Sequence, residues 1–145
     1  MAEWFEVSPE RLVVEFRRVQ ESRTGFSLVR HNGFLCWTGA LDAIPAGVQA
    51  EPLVIRVKYP EYFPAGSPWV EIVSPELGLE LVGHEWHRMT DGDVCYIRDS
   101  LWNPATAAEE IIAKEEDWYF NFVAKRAGLI EKMPDVGRAE IVVSK

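Results

Sequence analysis

Between Phe26 and Val73 the chain alternates apolar and polar residues in short runs, and His31-Asn32-Gly33 interrupts the first of them. No other feature narrows the possible folds as much. Alternation is the mark of a strand with one buried face, and Asn-Gly favours the tight turn of a hairpin. The pattern predicts strands over Phe26 to Arg30, Phe34 to Thr38, Leu53 to Tyr59 and Trp69 to Val73, with a loop of small residues from Ala43 to Ala50. In the third run Leu53, Ile55, Val57 and Tyr59 share one face, and Val54, Arg56 and Lys58 share the other. Consecutive short strands with short links predict an antiparallel meander.

Helical spacing flanks these strands. Ser8-Pro9-Glu10 opens a helix with Ser8 as N-cap and Pro9 at the first helical position. Leu12, Phe16 and Val19 form its expected inward stripe, and it fades near Ser22-Arg23-Thr24-Gly25. Ala105 to Ala127 predicts a long helix, with Ile111, Ile112, Trp118, Phe122 and Val123 inward and Gly128 as its stop. From Ser74 to Leu101 no period is sustained, and an irregular stretch of that length inside a domain is usually functional. Arg138 to Val143 reads either as a last strand or as a tail ordered by a partner. The expectation is one α+β domain over residues 1–145, with a core of about 8–128 and a C-terminal extension at 129–145.

Composition bounds the function. With 48% hydrophobic and 26% charged residues the chain can bury a core. A formal charge of -8 argues against nucleic acid as a partner, because phosphate binding needs clustered cations. Arg11, Arg17 and Arg18 make a local basic face on the first helix, open to an acidic partner or to solvent. No apolar run is long enough to span a bilayer, so no membrane partner is expected. Nor does a secretory leader precede the domain, which favours a reducing cytoplasm. There the two cysteines are either buried filler or reactive thiols. Cys36, in the apolar run Phe34-Leu35-Cys36-Trp37, reads as core, as do the tryptophans; His31 reads as a solvated turn residue.

The motifs fall in a definite order. Tyr59-Pro60-Glu61-Tyr62-Phe63-Pro64 is followed by Pro68-Trp69-Val70, where prolines fix the backbone between two strands. Asp91-Gly92-Asp93-Val94-Cys95-Tyr96-Ile97 comes next, and seven residues after the cysteine stands Trp102-Asn103-Pro104-Ala105-Thr106, directly before the long helix. This series resembles the ubiquitin-conjugating-enzyme family over roughly residues 8 to 125. The first passage is similar to its Tyr-Pro…Pro-Pro-x-Val, the second to its Gly-x-Val-Cys, and the third to its Trp-Ser-Pro-Ala-Leu-Thr. Trp37 also matches an aromatic of the family's second strand.

The resemblance implies the family's fold: N-terminal helix, four-stranded meander, long active-site segment and long C-terminal helix. It implies that Cys95 accepts a ubiquitin-like protein as a thioester from an activating enzyme, and passes it to an amine on a target. The first helix is the expected face for the activating enzyme, and no cofactor or metal is required. Cysteine suits the task, since a thiolate is a strong nucleophile and a thioester remains reactive toward amines. Asp91, Asp93, Arg98 and Asp99 flank Cys95; Asp99, then Asp91, are the candidates for orienting and deprotonating the incoming amine. The family's His-Pro-Asn is absent. Its Asn position falls on His87 and its His position on Glu85, which makes His87 the candidate for steadying the oxyanion. That departure, with the short C-terminus, resembles divergent bacterial members found in conjugation and antiphage operons.

Other readings stay open. A catalytically inactive module of the same fold would bind a ubiquitin-like protein or a scaffold. Gly83-His84-Glu85-Trp86-His87 falls one residue short of the zinc-protease spacing, since Arg88 stands where the second His belongs; His84, His87, Asp91 and Cys95 would be a mixed metal site. A papain-like hydrolase would want its cysteine at a helix start, which this context does not offer. Trp102 and Pro104 read as structural anchors of the helix start against the cysteine loop.

Overall fold

A computed structural model describes residues 3–78, 80–88, 102–134 and 137–141. The elements run α1 (Trp4–Val7), α2 (Pro9–Ser22), β1 (Ser27–His31), β2 (Phe34–Leu41), β3 (Leu53–Lys58), β4 (Trp69–Ser74), a 3₁₀ turn (His84–Trp86) and α3 (Ala108–Arg126). The four strands form one antiparallel sheet in the order β1-β2-β3-β4, so the fold is α+β with the expected meander.

The hairpin arises as its sequence predicts. Asn32 and Gly33 both adopt positive φ, 51° and 83°, which gives the two-residue turn whose twist matches the strands. His31 pairs with Phe34 as the last residue of β1, so it belongs to the sheet and is half-buried there, not a solvated turn residue. Strand β2 runs three residues beyond Thr38, to Leu41. Gly39 would ordinarily weaken a strand, yet the Phe26 ring lies where its Cβ would stand, and that contact replaces a side chain.

Leu53, Ile55, Val57 and Tyr59 are buried on the inner face of the sheet, together with Trp37 and Leu41. Against that face packs α3, which buries Ile111, Ile112, Trp118, Phe122 and Val123, and also Glu115 and Asn121. Gly128 ends the helix region with φ 79°. Helix α3 begins at Ala108 and not at Ala105, because Asn103 first makes a turn: its Oδ1 accepts from Ala105 N–H at 2.9 Å.

Helix α2 departs from its expected stripe. Phe16 is 46% exposed, though its ring edges toward Trp37 at 5.8 Å, while Glu15 and Val19 are buried. The inward line is therefore Leu12, Glu15 and Val19; each residue advances about 100° around a helix, so a buried Glu15 turns Phe16 outward. Ser8 occupies the N-cap position, but its side chain makes no capping bond.

The C-terminal extension lies along α3 and is not a strand over 138–141. Asn121 donates to Gly137 O at 2.8 Å and accepts from Ala139 N–H at 2.8 Å, and Arg138 pairs with Glu116 and Asp117. Met133 is buried. No helix among the described residues is long and apolar enough to cross a membrane.

Candidate functional site

Cys95, Asp91 and Asp99, with Asp93 and Arg98, lie outside the described residues. The structure instead defines both shoulders of that segment, at residues 83–88 and 102–108, and the second is built with unusual redundancy.

Trp102 donates from Nε1 to the carbonyl of Pro64 at 2.8 Å, and its ring lies 6.3 Å from that of Phe63. The anchor of the Trp-Asn-Pro-Ala-Thr segment is thus the proline-rich link between β3 and β4. The first and third motifs of the sequence meet here through a carbonyl left free because proline-rich turns make few ladder bonds. Two α2 side chains four residues apart hold the next stretch. Arg11 donates to Pro104 O at 2.7 Å and to Thr106 O at 2.9 Å, and its guanidinium lies 4.9 Å above the Phe63 ring. Glu15 accepts from Ala108 N–H at 2.9 Å and from the Tyr59 hydroxyl at 3.0 Å; that hydroxyl in turn accepts from Trp37 Nε1 at 2.9 Å.

This arrangement has a local cause. The residue before α3 is Ala107, which has no side-chain oxygen to cap a helix. Glu110 takes the Ala107 N–H at 2.8 Å, and Glu15 reaches across from α2 to take the next N–H. A carboxylate at a helix start is favoured by the exposed N–H groups there. Burial works against its charge: desolvation raises the Glu15 pKa above 4.5, although Ala108, Tyr59, Arg11 and Arg18 all pull it down. Tyr59, buried against the same carboxylate, is held well above its ordinary value, first by desolvation.

The basic face of α2 is largely spent inside the molecule. Arg11 serves the shoulder, and Arg18 stands 3.8 Å from Glu109 and 3.9 Å from Glu110 at the start of α3. Only Arg17 of the three makes no ion pair among the described residues. Sequence reasoning missed Glu15, Arg11 and Tyr59 as supports. The available signal was an acidic residue on the line of Leu12 and Val19, with an arginine four residues before it.

On the other shoulder, residues 83 and 88 form an isolated antiparallel bridge around the 3₁₀ turn, with Gly83 N–H to Arg88 O at 2.8 Å. Arg88 is buried and donates to Gly78 O and Leu81 O, at 3.0 and 2.8 Å. Trp118 of α3 donates to Trp86 O at 3.0 Å. His87 closes this turn with φ 50°, in the left-handed region where Asn, Asp and His are enriched among side chains. It lines a cleft of about 540 Å³ with Glu85, Lys125, Glu131, Lys132 and Met133. His84 opens the 3₁₀ turn, so residues 84–86 are not part of the helix a zinc-protease motif requires. No group of three His, Cys, Asp or Glu residues gathers to hold a metal among the described residues.

Cys36 is fully buried, and desolvation raises its thiol pKa. It is the core residue its apolar run predicts. Iodoacetamide at pH 8 is expected to leave Cys36 unmodified in the folded protein and to alkylate it in guanidinium; peptide mass mapping would read this, and native labelling of Cys36 would contradict its burial.

No family model, no characterised protein and no solved structure matches the chain.

Proposed function

We propose that the protein is a ubiquitin-like conjugating enzyme that carries its cargo as a thioester on Cys95. The observation that carries this reading is the bracket around Cys95: Gly-Asp-Val-Cys on one side and Trp-Asn-Pro-Ala-Thr on the other. The α+β layout and the fixed shoulder at 102–108 support it. A thioester carrier needs a cysteine segment whose ends do not drift, and Trp102, Arg11 and Glu15 hold one end to α2 and the β3–β4 link.

The chemistry is two acyl transfers. The Cys95 thiolate attacks the carbonyl carbon of the activating enzyme's thioester, a new carbon–sulfur bond forms, and the donor thiolate leaves. A target amine then attacks the same carbon, the Cys95 carbon–sulfur bond breaks, and the amine's proton passes to a base, for which Asp99 and then Asp91 are the candidates. Incubation with ATP, a cognate activating enzyme and its ubiquitin-like protein should give an adduct that reductant removes. An adduct that resists reductant would count against a thioester, and no adduct with any cognate pair would favour an inactive module that only binds such a protein.

His87 is proposed to steady the oxyanion of the second transfer. Asn tolerates positive φ and keeps a donor, whereas Ala does neither. His87→Asn should therefore retain transfer to free lysine, and His87→Ala should lower it by about a hundredfold. Single-turnover discharge of the loaded enzyme measures this; equal rates in the two variants would remove His87 from the chemistry.

A further inference from the structure

A second cleft, of about 420 Å³, opens between α1, the β1–β2 hairpin turn and the link that follows β3. Its walls are rings and carboxylates: Trp4, Phe34, Tyr59 and Tyr62, with Glu3 and Glu61. Among the described residues, no lysine or arginine lines it.

The two carboxylates differ. Glu3 receives Arg30 at 3.1 Å, whereas Glu61 makes no ion pair among the described residues. Tyr62 is 69% exposed, an unusual position for a ring. One side of it lies against Gly66, where a Cβ would collide with the ring. Glycine at 66 therefore lets the ring approach the backbone there, and the same ring lines the cleft. Trp4 and Tyr59 are buried and locked by mutual ring contact at 4.9 Å, so the floor is preformed.

Elsewhere the molecule fills such places with its own cations. Lys125 lies 5.0 Å over Trp86 in the cleft beside His87, and Arg11 lies over Phe63. In the hairpin cleft Phe34 has Lys58 at 5.9 Å, but Trp4, Tyr59, Tyr62 and Glu61 have no such partner among the described residues. An aromatic wall beside an unpaired carboxylate attracts an ammonium through the ring quadrupole and the opposite charge together.

From this geometry we infer that the hairpin cleft binds an ammonium group, its charge at Glu61 and its methylene stem or methyl groups against Tyr62 and Trp4. The site does not depend on Cys95 or on the conjugation reading.

The test is a proton–nitrogen NMR titration of the full chain with N-acetyl-lysine methylamide, its trimethylammonium analogue and, as neutral control, N-acetyl-norleucine methylamide. Saturable shifts are expected at Trp4, Asn32 to Leu35 and Tyr62 with the two cations and not with the control. Glu61→Gln and Tyr62→Ala should each weaken binding by roughly tenfold. Gly66→Ala, whose methyl displaces the Tyr62 ring from behind, should weaken it too. Unchanged spectra elsewhere in each variant report an intact fold. Tighter binding of the same lysine within a short peptide would identify a presented side chain, and equal binding a free small cation. Absence of saturable shifts, equal binding of norleucine, or full affinity in Glu61→Gln would overturn the inference.

Discussion

Replacing Glu15 by alanine is expected to destabilise the domain by about 3 to 5 kcal/mol. One carboxylate oxygen accepts from the Tyr59 hydroxyl and from the Ala108 amide, both buried, and truncation strands both donors beside a new cavity. Chemical denaturation would measure it. A loss below about 1 kcal/mol would mean that the donors find other partners.

Glu15→Gln should behave differently, since an amide oxygen can accept the same two bonds without a charge. Its effect depends on pH with a definite sign. The folded state raises the Glu15 pKa above 4.5, by desolvation, so it holds the proton more tightly than the unfolded chain does. This group's stabilising contribution is present below 4.5 and is lost as pH rises toward the raised folded value. The wild type should therefore lose ground to Glu15→Gln across that window, and a pH-independent difference between the two would contradict the assignment.

The second large effect is on chemistry. Cys95→Ala should abolish the reductant-sensitive adduct altogether, because no other thiol is placed to replace it: Cys36 is fully buried beneath its neighbours on the sheet. Cys36→Ala should charge like the wild type. The pair separates loss of the nucleophile from damage to the fold, provided both variants give the unfolding midpoint of the wild type.

Much of the scaffold was legible in the residues, for reasons that can be named. Asn32-Gly33 set the hairpin because positive φ suits both residues. Strand β3 showed its two faces through strict alternation, and α3 showed its inner face through Ile111, Ile112, Trp118, Phe122 and Val123. Apolar counting failed where polar groups are buried. Glu15 took the inward place assigned to Phe16, and Lys58 is buried on the far face of the sheet, with its ammonium 2.6 Å from Glu71. Neither partnership has a local signature, because Tyr59 and Ala108 are 44 and 93 residues from Glu15.

The same limit governs the site. Motif order pointed to Cys95, and spacing pointed to His87, which the structure places in a left-handed turn beside a cleft. What the motifs did not disclose is why Trp102 and Thr106 matter: they are tied to Pro64 and Arg11, 38 and 95 residues away. The Trp-Asn-Pro-Ala-Thr segment is read most simply as a strap, held by the β3–β4 link at one end and by α2 at the other.

The most direct measurement is a peptide map of the charged protein. Wild type loaded with a cognate ubiquitin-like protein would be digested at low pH, where thioesters survive, and the cysteine bearing the cargo's C-terminal residues identified by mass. The mass increment is expected on the peptide containing Cys95, with Cys36 unmodified. Cargo found on Cys36 or on a lysine, with Cys95 bare, would contradict the account.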